Sequence, residues 1–310
     1  MAEKLKWLVI INPTSGNGQA KRKWPKVKAV LQKEGFDFNF HFTEYPKHSY
    51  ELIQESVSQG VRHFISVGGD GTLHNIVNGI MSQTICPSYD IKVGVIPIGT
   101  GNDWVKTYHI PKQIKEAVLV IKSNHELYQD IGKIDFIDRP SKPIYFNNLA
   151  GVGFDGYVVN KVGKYKHLGA LAYLIGALIG MFKYQNHYVE ISTGNTSMQF
   201  KSLMVLVGLC QFSGGGMQLT KEANPSDGLF DITLAKDLGK RDILMNLPKL
   251  FNGKITNHPK VTVMKTQSIG INTVNSAPFI QADGELIGQG GFSATVLKKA
   301  LCFYGIKKPA

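Results

Sequence analysis

The sequence predicts two domains of different class: an N-terminal three-layer α/β domain with a mostly parallel sheet, followed by a C-terminal antiparallel β-sandwich domain. Three observations point to this. Over the first 130 residues, short apolar runs alternate with amphipathic helical stretches, the rhythm of a parallel sheet covered on both faces. Beyond that point strand-like runs succeed one another with only two helical interruptions, the pattern of a sandwich or barrel. The chain has 310 residues, more than the roughly 250–300 at which a single core stops growing. The expected domains are 1–130, completed by 298–310, and 131–297.

Residues 6–11 are an apolar run ending in Asn12-Pro13, a strand that enters a turn. Residues 23–35 read as a helix with Pro25 in its first turn and Gly35 at its end. Phe36, Phe38, Phe40 and Phe42 alternate with polar residues at the strand period. Ser49 is placed to cap a helix running to Gly60. Residues 63–67 form the next strand. The helix 72–81 follows, with Leu73, Ile76, Val77 and Ile80 on one face. Strand 92–96, a turn and helix 114–122 come next.

In the second half the expected strands are 133–137, 144–150, 188–192, 202–209, 229–235, 261–264, 279–282 and 292–297. The expected helices are 168–183 and 240–251, and residues 300–310 return to the first domain. Segment 168–182 is uncharged but shorter than the about 20 residues a membrane span needs. It is expected as a buried or interfacial helix, with Gly176 and Gly180 allowing close packing. No signal peptide is expected, because the apolar run 7–11 is short and ends in Asn12-Pro13.

Composition narrows the function classes. Apolar residues make up 43% and charged residues 19%, which suits a folded chain and excludes a disordered one. Cys86, Cys210 and Cys302 lie far apart without metal-ligand spacing, pointing to reduced thiols in the cytoplasm. A net charge of +12 favours polyanions such as nucleotide phosphates or an anionic membrane surface. The clusters Lys21-Arg22-Lys23 with Lys26 and Lys28, and Lys307-Lys308, read as solvated helix faces or tails. There is no zinc-finger spacing and no aromatic RNP-type motif, so nucleic acid is not an expected partner.

Three glycine-rich turns each follow a predicted strand: Asn12-Pro13-Thr14-Ser15-Gly16-Asn17-Gly18, Gly68-Gly69-Asp70-Gly71-Thr72 and Pro97-Ile98-Gly99-Thr100-Gly101-Asn102-Asp103. Loops at the carboxyl ends of parallel strands border the ligand crevice. Glycine lets main-chain N–H groups approach phosphate oxygens, and helix N-termini favour negative charge. None of the three is a Walker A loop or a dinucleotide fingerprint. Any one of them is compatible with a purely structural turn; three on one sheet edge point to a phosphate site. In the second turn Asp70 is a candidate helix cap, but Thr72 is placed to cap equally well. That arrangement leaves Asp70 for Mg²⁺ or its waters.

These turns, with Asn78-Gly79, resemble the signature set of the diacylglycerol kinase-like lipid kinases, a group that includes bacterial diacylglycerol kinases and the sphingosine and ceramide kinases. The Gly-Gly-Asp-Gly core is also shared with NAD kinases and 6-phosphofructokinases. The second half carries its own matches: Asn147 with Gly153-Phe154-Asp155, Asp227-Gly228-Leu229-Phe230-Asp231, and Asp283-Gly284-Glu285. The resemblance implies an ATP- and Mg²⁺-dependent phosphotransferase, with ATP in the cleft between a nucleotide domain and a β-rich domain. It places Asn12, Pro13, Thr14, Ser15, Gly16, Thr43, Gly68, Gly69, Asp70, Gly71, Thr72, Leu73, His74 and Thr100 at ATP, together with Glu285. Asp283 matches the family's general base. Asp70 joins it as catalytic through the water network around Mg²⁺. Asp227 and the carbonyl of Leu229 match a Mg²⁺ site. On the residues alone, Asp283-Gly284 is a hairpin turn and Asp227-Gly228 an ordinary turn.

The sequence departs from the family pattern at three places. His74-Asn75 replaces the usual Asn-Glu. Lys106 stands for Arg, keeping the charge but not a bidentate grip. Asn17 occupies a position often basic. The partners implied are a lipid substrate, most directly diacylglycerol, and peripheral contact with an anionic membrane from the cytoplasm. A homodimer is left open. The rival readings are a kinase of a soluble acceptor related to NAD kinase and a non-catalytic nucleotide or lipid sensor.

Overall fold

The structure, a computed structural model, describes residues 6–137, 141–162, 183–194 and 196–306. The chain divides into two compact units: residues up to Gln129 together with those from Lys299 onward, and Asp130–Lys298.

The first unit is built on β1 (Lys6–Ile11), β2 (Asp37–Phe42), β3 (His63–Gly68), β4 (Lys92–Pro97) and the end of β15 (Phe292–Tyr304). Every ladder among them is parallel, in the order β2-β1-β3-β4-β15. β1 lies between β2 and β3, so the direction of winding reverses between β1 and β3. That is the topological switch point at which ligands bind in open α/β sheets.

Helices α1 (Ser15–Lys33), α2 (His48–Ser58), α3 (Asp70–Ser82), α4 (Asp103–Thr107) and α5 (Ile114–Lys122) connect the strands. In α1 the buried residues Ala20, Trp24, Val27 and Leu31 repeat at helical spacing. They pack with Val9, Ile11, Ile65, Val67 and Ile96 of the sheet. Leu73, Ile76, Val77 and Ile80 are buried in α3.

Three helix starts differ from expectation. α1 begins well before residue 23, so Pro25 lies in its interior. Pro25 and Lys21, whose carbonyl loses its helical partner there, are both exposed, and water can serve that group. Ser49 does not cap α2: it is the second helical residue and buried, behind Lys47 at φ 68°. Thr72 does not cap α3, because the helix already begins at Asp70 behind an extended Gly69.

The second unit contains most of β5 (Glu126–Phe136), then β6 (Ile144–Phe146), β7 (Leu149–Gly153), α6 (Phe154–Val162), β8 (His187–Thr193), β9 (Thr196–Gly208), β10 (Phe230–Lys236), α7 (Lys240–Leu250), β11 (Val261–Thr266), β12 (Ser268–Val274), β13 (Phe279–Ala282) and β14 (Glu285–Gln289). Its ladders are antiparallel. The long β9 pairs with β8 over its first half, then with β7 and β10 over its second. Val152, Val205, Val207, Phe230, Ile232 and Ile280 belong to the core enclosed there.

The single strand expected at 144–150 is broken at Asn147-Asn148. The main-chain amides of those two residues bond a carboxylate, Asp283, instead of a neighbouring strand. The helix expected at 168–183 lies outside the described residues except for its last position. Among the described residues no helix is long and apolar enough to cross a membrane.

Candidate active site

The three glycine turns of the first unit meet main chain to main chain. A Cβ added at Gly16 would stand 2.7 Å from the carbonyl oxygen of Ile98, and one at Gly99 would stand 2.4 Å from the Cα of Gly69. Ser15 Oγ lies 3.1 Å from Thr72 Oγ1, joining the first turn to the second. The Ile98 amide donates to the Gly68 carbonyl at 2.7 Å. Glycine is required at these contacts because any side chain would drive the turns apart.

The first turn has its own internal lock: Asn12 Oδ1 accepts from the Thr14 amide at 3.1 Å and from the Thr14 hydroxyl at 2.8 Å. Gly16, Asn17 and Gly18 then adopt three successive left-handed conformations. Thr43, at the end of β2, donates its amide to the Ile11 carbonyl at 2.8 Å and so stands beside this turn.

The amino terminus of α3 points out of the second turn. Among the described residues no side chain caps it, and first-turn amides of a helix lack intrahelical partners. Such a terminus attracts anions. Gly68, Gly69, Asp70, Gly71 and Thr72 are thus brought together with Asn12, Pro13, Thr14, Ser15, Gly16 and Thr43, and exposed Thr100 lies on the third turn. Leu73 and His74 belong to the buried face of α3.

Asp70 has a definite structural task. Its Oδ2 accepts from the Asp103 amide and its Oδ1 from the Trp104 amide, each at 3.1 Å. It therefore caps α4, the helix of the third turn, rather than its own. Lys106, the residue that replaces Arg, pairs with Asp103 at 2.6 Å.

In the second unit, Asp283 and Gly284 have φ of 52° and 79° and join β13 to β14 as a tight hairpin. The buried Asp283 carboxylate accepts from the amides of Asn147 at 3.1 Å, Asn148 at 2.8 Å and Leu149 at 3.1 Å. Three main-chain donors fix where it points. Behind the hairpin, Gln281 Oε1 accepts from the Gly284 amide at 2.9 Å, and Gln281 Nε2 donates to Asp155 Oδ2 at 2.9 Å. Burial pushes the Asp155 carboxyl up to about 6, against the lowering effect of Gln281. Glu285 starts β14 beside the hairpin.

Asp227 and Leu229 sit in a second turn of the same unit. Asp227 Oδ1 accepts from the Leu229 amide at 3.0 Å, and Asp130 Oδ2 accepts from the Gly228 amide at 2.6 Å. Lys265 Nζ lies 3.1 Å from Asp227 Oδ2 and 3.3 Å from Asp231 Oδ2. Asp231 is 1% exposed, and the Lys265 ammonium is the cation its carboxylate meets. Burial raises its pKa, partly offset by Lys265. Two carboxylates that share a single ammonium carry a net negative charge, which suits a further cation beside Asp227.

Sequence reasoning did not assign roles to Gln281, Asp130, Asp231 or Lys265. Asp231 closes the Asp-Gly-Leu-Phe-Asp motif, so its signal was present. Gln281 adjoins its hairpin in the chain but only folding brings it to Asp155, and Lys265 reaches Asp227 across 38 residues.

Residues 6–134 match the family model described as the diacylglycerol kinase catalytic domain. Residues 148–304 match the model described as the YegS C-terminal NAD kinase beta sandwich-like domain. The chain is 31% identical over 283 residues to a diacylglycerol kinase of Staphylococcus carnosus, covering 91% of this chain and 89% of that one. Among solved structures, it resembles a diacylglycerol kinase from Bacillus anthracis with a TM-score of 0.74, at 23% identity and with 99% and 98% of the two chains covered. An Archaeoglobus fulgidus NAD kinase in complex with ATP shares the fold with a TM-score of 0.52, at 12% identity over 96% and 93% of the chains.

Proposed function

The chain belongs to the diacylglycerol kinase family, and from that premise we propose that it transfers the γ-phosphate of ATP to the hydroxyl of a lipid, with diacylglycerol as the acceptor. The observation that carries this reading is the meeting of three glycine turns at the β1/β3 switch point. The unit of residues 1–130 with 298–310 is read as the ATP-binding domain, and 131–297 as the domain that supplies the base.

Phosphoryl transfer depends on positioning and charge stabilisation more than on covalent chemistry. In this reading, main-chain amides of the turns and of the α3 terminus bind the phosphates. Asp70 keeps the third turn in register with the second by capping α4. Asp283 accepts the proton of the attacking hydroxyl, its carboxylate aimed by the amides of residues 147–149. Mg²⁺, when bound, neutralises charge on the phosphoryl oxygens. Asp70 is assigned to the water network around that ion, and Glu285 stays with the nucleotide. Asp227, the Leu229 carbonyl and Asp231 are assigned to a second cation that steadies their turn alongside Lys265. The enzyme is read as acting from the cytoplasm, peripherally on an anionic membrane.

Label transfer from γ-labelled ATP into organic-extractable product tests the reading, using mixed micelles of diacylglycerol, phosphatidylglycerol, sphingosine and ceramide with Mg²⁺. Labelled phosphatidic acid that disappears in Asp283→Asn is the expected result. Label confined to water-soluble product would replace the lipid by a soluble acceptor. ATP binding without transfer to any acceptor would make the chain a sensor.

A further inference from the structure

Helix α7 (Lys240–Leu250) is apolar on both its inner and its outer face. Its inner residues Ile243 and Leu250 pack against the cluster containing Leu203, Leu219, Leu238 and Ile255. Its outer stripe of Leu244, Met245 and Pro248, spaced i, i+1 and i+4, is exposed, and Phe251 continues it beyond the last turn. Leu244 is 46% exposed, Met245 80% and Phe251 48%. A surface helix that buries one face ordinarily presents polar residues on the other. Contiguous apolar exposure of this kind marks an interaction surface.

The charged side chains exposed on α7 and at Lys254 are basic. Lys240, Arg241, Lys249 and Lys254 are all exposed. Asp242, the acidic residue of the helix, is engaged elsewhere: its Oδ2 lies 2.7 Å from Lys260 Nζ and accepts from the Gly239 amide at 3.0 Å.

We propose that α7, with the turn through Lys254, is the docking surface of this protein for an anionic lipid bilayer. Leu244, Met245 and Phe251 enter the boundary between headgroups and acyl chains, as interfacial helices do, while the four basic residues meet lipid phosphates. The basic rim selects this occupant. Self-association through the stripe would bring two like rims together in a chain of net charge +12, whereas an anionic surface neutralises them. The proposal rests on the lipid-kinase reading, which requires the enzyme to reach an acceptor held in a membrane.

Flotation of the full chain with phosphatidylcholine vesicles, with and without phosphatidylglycerol, tests it. The vesicles hold no diacylglycerol and no ATP is added, so docking is read separately from phosphate transfer. The wild-type chain is expected to float with the anionic vesicles. The exposed triple variant Leu244→Ser, Met245→Ser, Phe251→Ser should lose partitioning by more than about tenfold. Each of Lys240→Gln and Lys249→Gln should lose roughly fivefold, on the anionic vesicles only. Met245→Trp should be quenched by brominated acyl chains. Unchanged flotation of the triple variant, or no quenching of Met245→Trp, would overturn the proposal. So would a wild-type dimer in sedimentation that the triple variant dissociates, since a second copy would then cover the stripe.

Discussion

The two units of this chain handle negative charge in opposite ways. In the first, a place for anions is made from main chain: glycines at van der Waals contact, a left-handed turn and an uncapped helix terminus. In the second, the anions belong to the protein. Asp283 is held by three amides, and Asp227 and Asp231 share Lys265. A cradle of main-chain amides tolerates no added side chain and presents no titrating group of its own. Carboxylate sites tolerate changes of shape but are sensitive to the protonation state and to the loss of a single donor. Substitutions in the two units should therefore fail differently.

The largest effect is expected from Asp283→Asn. Loss of a general base costs on the order of 10²–10⁴-fold in rate. The new amide group must also face one of the amides of residues 147–149, donor against donor, which costs about 1–3 kcal/mol of stability. Steady-state kinetics should show the fall in kcat with KM for ATP near wild type. A comparable rise in KM for ATP would move Asp283 from the chemistry to the nucleotide site.

Gly99→Ala should break the first unit instead. Its Cβ would meet Gly69 Cα at 2.4 Å and Asn102 Oδ1 at 2.5 Å, and overpacking of this kind costs about 1–3 kcal/mol. Calorimetric titration should show nucleotide binding weakened by at least about tenfold, the amount that 1.4 kcal/mol represents. Binding at wild-type strength would mean that the turns do not need to touch.

Asp155→Asn probes protonation in the second unit. Burial pushes the folded Asp155 carboxyl up to about 6 from the ordinary 3.8, so the folded state binds more protons than the unfolded one between those values. Stability from this group is present below about pH 4 and is lost as pH rises through about 6. Two units correspond to on the order of 3 kcal/mol. The Asn variant still offers Gln281 an acceptor, and its advantage over wild type in urea unfolding should grow from pH 4 to pH 7. A difference independent of pH would show that the fold does not raise the Asp155 carboxyl above its unfolded value.

The smallest effect is expected from Lys265→Met, which leaves Asp227 and Asp231 without their ammonium. Melting in EDTA should fall by several degrees, about 1–2 kcal/mol for a chain of this size, and Mg²⁺ should restore most of it. No response to Mg²⁺ in either protein would remove the cation from this turn.

Much of this organisation was legible in the sequence because it rests on local signals. A short apolar run marked β1, the alternation of Phe36, Phe38, Phe40 and Phe42 marked β2, the apolar face of Leu73, Ile76, Val77 and Ile80 marked α3, and Asp283-Gly284 marked its hairpin by turn chemistry alone. The three glycine turns were visible as turns, since glycine is informative wherever main chains must touch. Helix starts were less legible. Thr72 had the chemistry of a cap, but Gly69 is extended and α3 begins at Asp70, which leaves the Thr72 hydroxyl to face Ser15.

What the sequence determined by itself, then, is the class of each unit, the glycine turns of the first and the identity of the acidic turns in the second. Only the tertiary structure decided which groups those acids meet. Asp70 and the amide of Trp104 are 34 residues apart, and Asp283 and the amide of Asn148 are 135 apart. Lys265 reaches Asp227 across 38. No local pattern encodes such pairings. They exist because the apolar cores bring strands from distant parts of the chain side by side, and a carboxylate buried there, as Asp283 is, must take the donors the neighbouring backbone presents.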